Sequence, residues 1–259
     1  MTNAIKNTLA LVISIIVVHL FYVGYVWPAS AEAIEAARAA GQSAPRDIAV
    51  ILKDWEQEIC LIMMLWGTFL ILDKCFAIMK DRYLFNVDLL EETAAKDDEG
   101  RDDLATMLNT LEELPDRIRN TPLVRTLAAS LRRFLITGDV QNTSETIDAN
   151  VEALAVKQEA ENSMVRYLIW AIPAIGFIGT VRGIGTALSQ ADQALAGDIG
   201  GMTESLGVAF NSTFVALLIS IILMFLLHQL QRLQDSMVTD TQEYCESFLL
   251  NRISTVGRS

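Results

Sequence analysis

Residues 167–188, YLIWAIPAIGFIGTVRGIGTAL, and residues 206–227, LGVAFNSTFVALLISIILMFLL, decide the fold. A helix needs about 20 consecutive apolar residues to cross a bilayer core, and both stretches reach that length. The second carries no charge, and the first carries only Arg182. Residues 189–205 between them contain no Lys or Arg. The two stretches therefore read as a transmembrane hairpin spanning residues 164–228.

Two more spans lie upstream. Thr8 to Trp27 is uncharged, with His19 its one group that titrates near neutral pH, and Phe21, Tyr22, Tyr25 and Trp27 gather at one end as headgroup-level aromatics do. This gives a first span within residues 1–28. Ala29-Ser30-Ala31 has the look of a signal cleavage site, but the apolar run is too long and the preceding region has only Lys6, so a retained anchor is expected. Ile59 to Leu72 reaches a full span, residues 58–79, when Lys74 snorkels and the helix continues to Met79. The predicted fold is thus all-α, with four transmembrane helices, a helical cytoplasmic domain between the second and third, and a cytoplasmic C-terminal helix.

Orientation follows from Lys and Arg. The outer segment 29–57 holds Arg38, Arg46 and Lys53, whereas residues 80–163 hold ten basic side chains and the tail 229–259 adds Arg232, Arg252 and Arg258. Both termini and the segment 80–163 are expected in the cytoplasm of a multi-pass protein. That segment also has 18 acidic residues, and the whole chain is 52% hydrophobic with net charge −12. Such acidity argues against nucleic acid, whose phosphates it would repel. Cys60 and Cys75 sit roughly 22 Å apart along one helix, too far for a disulfide, and Cys245 falls in the tail. All three read as packing residues.

The polar segments read as helices. In 29–57, Ala29 to Ala40 stops at Gly41 and Pro45 opens a second short helix. In 80–163, Leu104, Met107, Leu108, Leu111 and Leu114 recur at helical spacing and stop before Pro115. Pro122 opens another helix with Leu123, Leu127, Leu131 and Leu135 on one face and Gly138 beyond its end. The charged run Lys96 to Asp103 reads as a solvated loop and helix start. From Asn142 a helix with Ile147, Val151 and Leu154 runs into the third span. After the fourth span, Leu230, Leu233, Met237, Tyr244 and Phe248 continue one stripe.

The chemistry sits in the hairpin. Gly176, Gly179 and Gly183 form a small-residue face that admits a close backbone. Ala209, Thr213, Ala216 and Ser220 form its counterpart. Thr180 lies about 10 Å and Thr213 about 9 Å from the outer ends of their antiparallel helices, so both hydroxyls fall in one layer. Facing inward, such a layer would replace part of an ion's hydration shell; turned inward on itself, each hydroxyl would bond its own helix four residues back. Arg182 points away from Thr180, and its expected role is structural pairing with Asn211 or with a carboxylate near the outer mouth (Glu204, Asp192 or Asp198). Pro173 removes one backbone hydrogen bond and is expected to kink its helix. Neither helix carries Asp, Glu or His before His228, so a titratable carrier would have to come from a second protein. His19 and His228 show no metal-ligand spacing.

Residues 172–184, IPAIGFIGTVRGI, resemble the signature of the MotA/TolQ/ExbB proton-channel family, and Gly207 to Leu218, with Ser212-Thr213, looks like that family's following helix. The resemblance implies a homo-oligomer, a pentameric ring in the bacterial inner (cytoplasmic) membrane, around two copies of a single-span partner of the MotB/TolR/ExbD type. That partner carries the ion-binding aspartate, and flow of H+ or Na+ drives force or rotation across the cell envelope. By match of motif, Thr180 and Thr213, with Ser212 beside them, face the aspartate. Pro173 couples ion passage to motion, and the glycines serve close packing. No cofactor beyond the transported ion is implied. Four spans with a large cytoplasmic segment look like a flagellar stator, yet no proline follows Pro173, where stators have one. The GTV-x-G and Ser-Thr wording is closer to the TolQ/ExbB branch, which usually has three spans, and Arg182 replaces an aromatic often found there. Flagellar rotation, outer-membrane energisation and other envelope tasks stay open.

The leading expectation is therefore a motor subunit and not an enzyme, since the sequence has no nucleophile–base pair, phosphate loop or metal set. The alternative is a non-conducting membrane scaffold or signalling protein that recruits partners through its acidic cytoplasmic domain.

Overall fold

The computed structural model describes residues 2–40, 45, 47–86 and 100–250, and the regular elements among them are helical. In chain order they are α1 (Thr2–Phe21), α2 (Trp27–Ala39), α3 (Ile48–Leu52), α4 (Trp55–Asp81), α5 (Gly100–Glu113) and α6 (Asp116–Arg119). There follow α7 (Pro122–Thr137), α8 (Val140–Glu161), α9 (Ser163–Ser189), α10 (Ala191–Leu195) and α11 (Gly200–Tyr244). Four runs are long and apolar enough to cross a membrane: Ala4–Ala39, Trp55–Phe85, Val140–Ser189 and Gly200–Ser247. The all-α membrane architecture expected from hydropathy is the observed one. The chain forms two compact units, residues 1–73 with 163–228, and residues 74–162 with 229–259.

In the first unit the outer segment differs from expectation. A π-helical turn, Tyr22–Val26, joins α1 to α2 without a break, so Ala29 to Ala39 extends the first span instead of forming a separate helix. The next helix starts at Ile48 and not at Pro45, because Asp47 caps it by accepting a hydrogen bond from the Ile48 N–H at 2.8 Å. Gly41 lies outside the described residues. Tyr22, expected among headgroup aromatics, is fully buried with Val18 and Val26 at four-residue spacing, against Leu52, Leu61 and Ile62. Phe21, Tyr25 and Trp27 do face outward. A single turn of helix separates the inward from the outward aromatics, which hydropathy alone does not resolve.

The second unit follows its sequence signals closely. Leu104, Met107 and Leu111 of α5 meet Leu123, Leu127, Leu131 and Phe134 of α7, together with Ile147 and Val151 of α8 and Tyr244, Cys245 and Leu249 near the end of the chain. Pro122 occupies the first turn of α7, where its missing N–H costs nothing. Gly138 ends α7 at φ 66°, a left-handed position that a side chain would strain. Asp139 then caps α8 by accepting from the Gln141 N–H at 3.0 Å. Asn162 and Gln234, both buried, exchange amide hydrogen bonds. Burial pushes the Cys245 thiol up to about 12, which fits a packing residue. Of the charged run, residues 96–99 lie outside the described residues and 100–103 open α5. The Phe248 side chain also lies outside them.

Candidate functional site

The glycine face of α9 meets α11 at backbone distance. A Cβ built on Gly176 would fall 2.5 Å from the Ala216 Cβ and 2.9 Å from the Ser212 carbonyl. One on Gly179 would fall 2.5 Å from Ser212 Cβ and Oγ, and one on Gly183 would fall 2.7 Å from the Ala209 nitrogen. Ordinary side chains cannot occupy such space, so these three positions are glycine by contact. Gly185, on the same helix, would meet nothing within 4 Å. Spacing alone thus selected the three that pack.

This approach brings the two threonines together. Thr180 and Thr213 share a hydrogen bond between their hydroxyls. Thr180 also donates to the Ala209 carbonyl at 2.9 Å, the oxygen four residues before Thr213. Thr213 lies 3.3 Å from the Gly176 carbonyl, the oxygen four residues before Thr180. Each hydroxyl therefore reaches the acceptor that its partner would use for back-bonding. The contact of Thr180 with Gly176 of its own helix is longer, at 3.3 Å. Both residues stay half-exposed. A hydroxyl has one proton and two lone pairs, so once the protons go to protein acceptors, the layer offers lone pairs to whatever approaches it.

Ser212, expected beside Thr213 on the pathway, is buried, and its proton is used within the protein. It donates to the Val208 carbonyl at 2.9 Å and accepts from the Gln57 side chain at 3.2 Å. Asn211 sits half-exposed on α11. Arg182 does not pair with it. The guanidinium makes a two-pronged pair with Glu56, Nε to Oε1 at 2.6 Å and Nη2 to Oε2 at 2.8 Å, and reaches Asp54 at 3.0 Å. The Glu56 side chain is 0% exposed and that of Arg182 is 40% exposed. The carboxylate partner was expected, but it comes from the start of α4 and not from the outer mouth of the hairpin. Glu204 instead binds Lys53 at 2.8 Å and Arg38 at 3.0 Å. The Lys53 ammonium holds the Glu204 carboxyl below the usual carboxylate range.

Sequence reasoning missed Asp54, Glu56 and Gln57. The signal was present: a lone charge inside an apolar helix needs a counter-charge, and the acids nearest another span are those at the head of α4. His19 likewise meets Glu58 at 2.8 Å. Pro173 lies inside α9, which continues through it as one helix. Among the described residues no group of three or more His, Cys, Asp or Glu is placed to hold a metal ion.

A family model, that of the MotA/TolQ/ExbB proton channel family, matches residues 118–243, slightly under half of the chain. The match takes in both threonines, the three packed glycines, Pro173 and Arg182. No curated protein and no solved structure matches the chain. The family is one of ion channels and motor subunits, not of enzymes. Residues 118–243, which carry the motif, the hydrogen-bonded threonines and two of the four apolar helices, match the MotA/TolQ/ExbB proton channel family.

Proposed function

We propose that this membrane protein is the ring-forming subunit of an ion-driven motor that converts ion-motive force into mechanical work on the cell envelope. It acts as a homo-oligomer, a pentamer, in the bacterial inner membrane with both termini cytoplasmic. A single-span partner of the MotB/TolR/ExbD type sits at its centre and brings an aspartate to the threonine layer. The cargo is H+ or Na+, and no cofactor takes part.

The observation that carries this reading is the pairing of Thr180 and Thr213, in which Thr180 donates to the Ala209 carbonyl and the Thr213 proton serves the Thr180 oxygen or the Gly176 carbonyl. Two protons are consumed within the hairpin, and lone pairs are left on half-exposed oxygens. Such a surface suits a cation losing its water or the acid proton of a neutralised carboxyl. An apolar packing seam would need no hydroxyl at either position. The Arg182–Glu56 pair serves the site indirectly: it ties the hairpin to α4 and neutralises two charges that would otherwise repel or trap an ion.

The test is copurification with a single-span protein of the MotB/TolR/ExbD type, counting both chains by mass or imaging, with Thr213→Val assayed for ion-driven work. Valine is nearly isosteric with threonine, so assembly should persist while work is lost. A complex without central single-span helices, or full work from the valine variant, would overturn the proposal.

A further inference from the structure

Proline has no N–H, so Pro173 leaves the carbonyl of Ile169, four residues earlier, without its helical donor. In the hydrocarbon core no water replaces that bond. The structure supplies one from the neighbouring helix: the Ser220 hydroxyl of α11 donates to the Ile169 carbonyl at 3.2 Å. Ser220 is 5% exposed. A serine in an apolar helix ordinarily bonds its own carbonyl four residues back. Ser14 does so in α1 and Ser212 does so in α11. Ser220 reaches instead across to the oxygen that Pro173 orphaned.

We propose that Ser220 is the positioning residue of the Pro173 break. Its hydroxyl replaces the missing backbone bond and so fixes α9 to α11 at the point where α9 is weakest. The Ala216 carbonyl, four residues back on its own helix, is a second acceptor within reach of a χ1 rotation. One proton with two acceptors makes a two-position latch. Bonded to Ile169, it holds the proline turn closed; turned to Ala216, it frees the residues before Pro173 to bend. The coupling of this latch to ion passage rests on the motor reading above, whereas the bond itself does not.

The test is a double-mutant cycle on the purified full-length chain in detergent, with Ser220→Ala, Pro173→Ala and both together. Melting temperature and hydrogen exchange over residues 163–176 are measured. In the Pro173 background, Ser220→Ala should lower Tm by about 2–8 °C and speed exchange in that stretch, and Ser220→Thr should restore both. In the Pro173→Ala background the new N–H serves Ile169, so Ser220→Ala should then change little. Ser220→Cys, close in size but a weak donor, carries the same comparison where the alanine variant does not fold. Equal losses in both backgrounds, or no loss in either, would overturn the proposal. Because flux is not measured, a negative result here leaves the threonine reading standing.

Discussion

The closest contacts between α9 and α11 are made by glycine, alanine and serine or threonine, whereas the contacts of the second unit are made by leucine, isoleucine and phenylalanine. Many of the hairpin's large side chains point outward, although Leu168, Ile172 and Leu223 are buried. Trp170 is 80% exposed and Phe210 is 70% exposed, while Leu127 and Leu131 in the second unit are 0% exposed. The difference reports two solvents. Lipid tails are as apolar as leucine, so burying leucine between helices in a bilayer gains little, and close backbone packing with interhelical hydrogen bonds takes over. In water, burial of each such side chain is worth about 1.5–3 kcal/mol, and the core fills accordingly.

The comparison makes opposite demands on the two regions. The largest effect is expected where the hairpin holds a charge: Arg182→Leu leaves the fully buried Glu56 carboxylate without its partner, at a cost of about 3–5 kcal/mol, read as detergent melting. Next, Leu127→Ala should cost the second unit about 2–5 kcal/mol by opening a cavity. Removing bulk harms that region; adding it harms the hairpin. Gly183→Ala presses a methyl onto the Ala209 backbone and should cost about 1–3 kcal/mol, while Gly185→Ala, meeting open space, should be neutral or slightly stabilising. Equal losses from both glycines would show that helix propensity, not contact, sets the cost.

The smallest effect is electrostatic. Glu204 has a lowered folded pKa, so its stabilisation is complete above the ordinary carboxylate value of about 4.3 and is lost as pH falls through the folded value. Melting of the native chain minus that of Glu204→Gln should therefore shrink between about pH 5 and pH 3. A difference that grows with acidity would contradict the Lys53–Glu204 bond.

Length of apolar runs made the spans legible, and Pro122, Gly138 and the leucine spacing made the second unit legible, because each signal is local. Spacing also identified the threonine layer, since antiparallel helices of known rise fix relative depth. Partners from distant sequence were not legible. Nothing near Arg182 names Glu56, and nothing near Pro173 names Ser220, because both choices depend on which helix packs beside α9. The continuity of α1 into α2 was hidden for another reason: alanine-rich sequence continues a helix as readily as it starts one.

In the proposed motor the two hydroxyls, and not merely the glycine seam around them, serve ion passage. Ion flux into proteoliposomes holding the assembled complex tests it most directly, with Thr180→Val/Thr213→Val compared against Thr180→Ser/Thr213→Ser. The serine pair should conduct, and the valine pair, assembled in the same stoichiometry, should not. Matching flux from the two variants would contradict it.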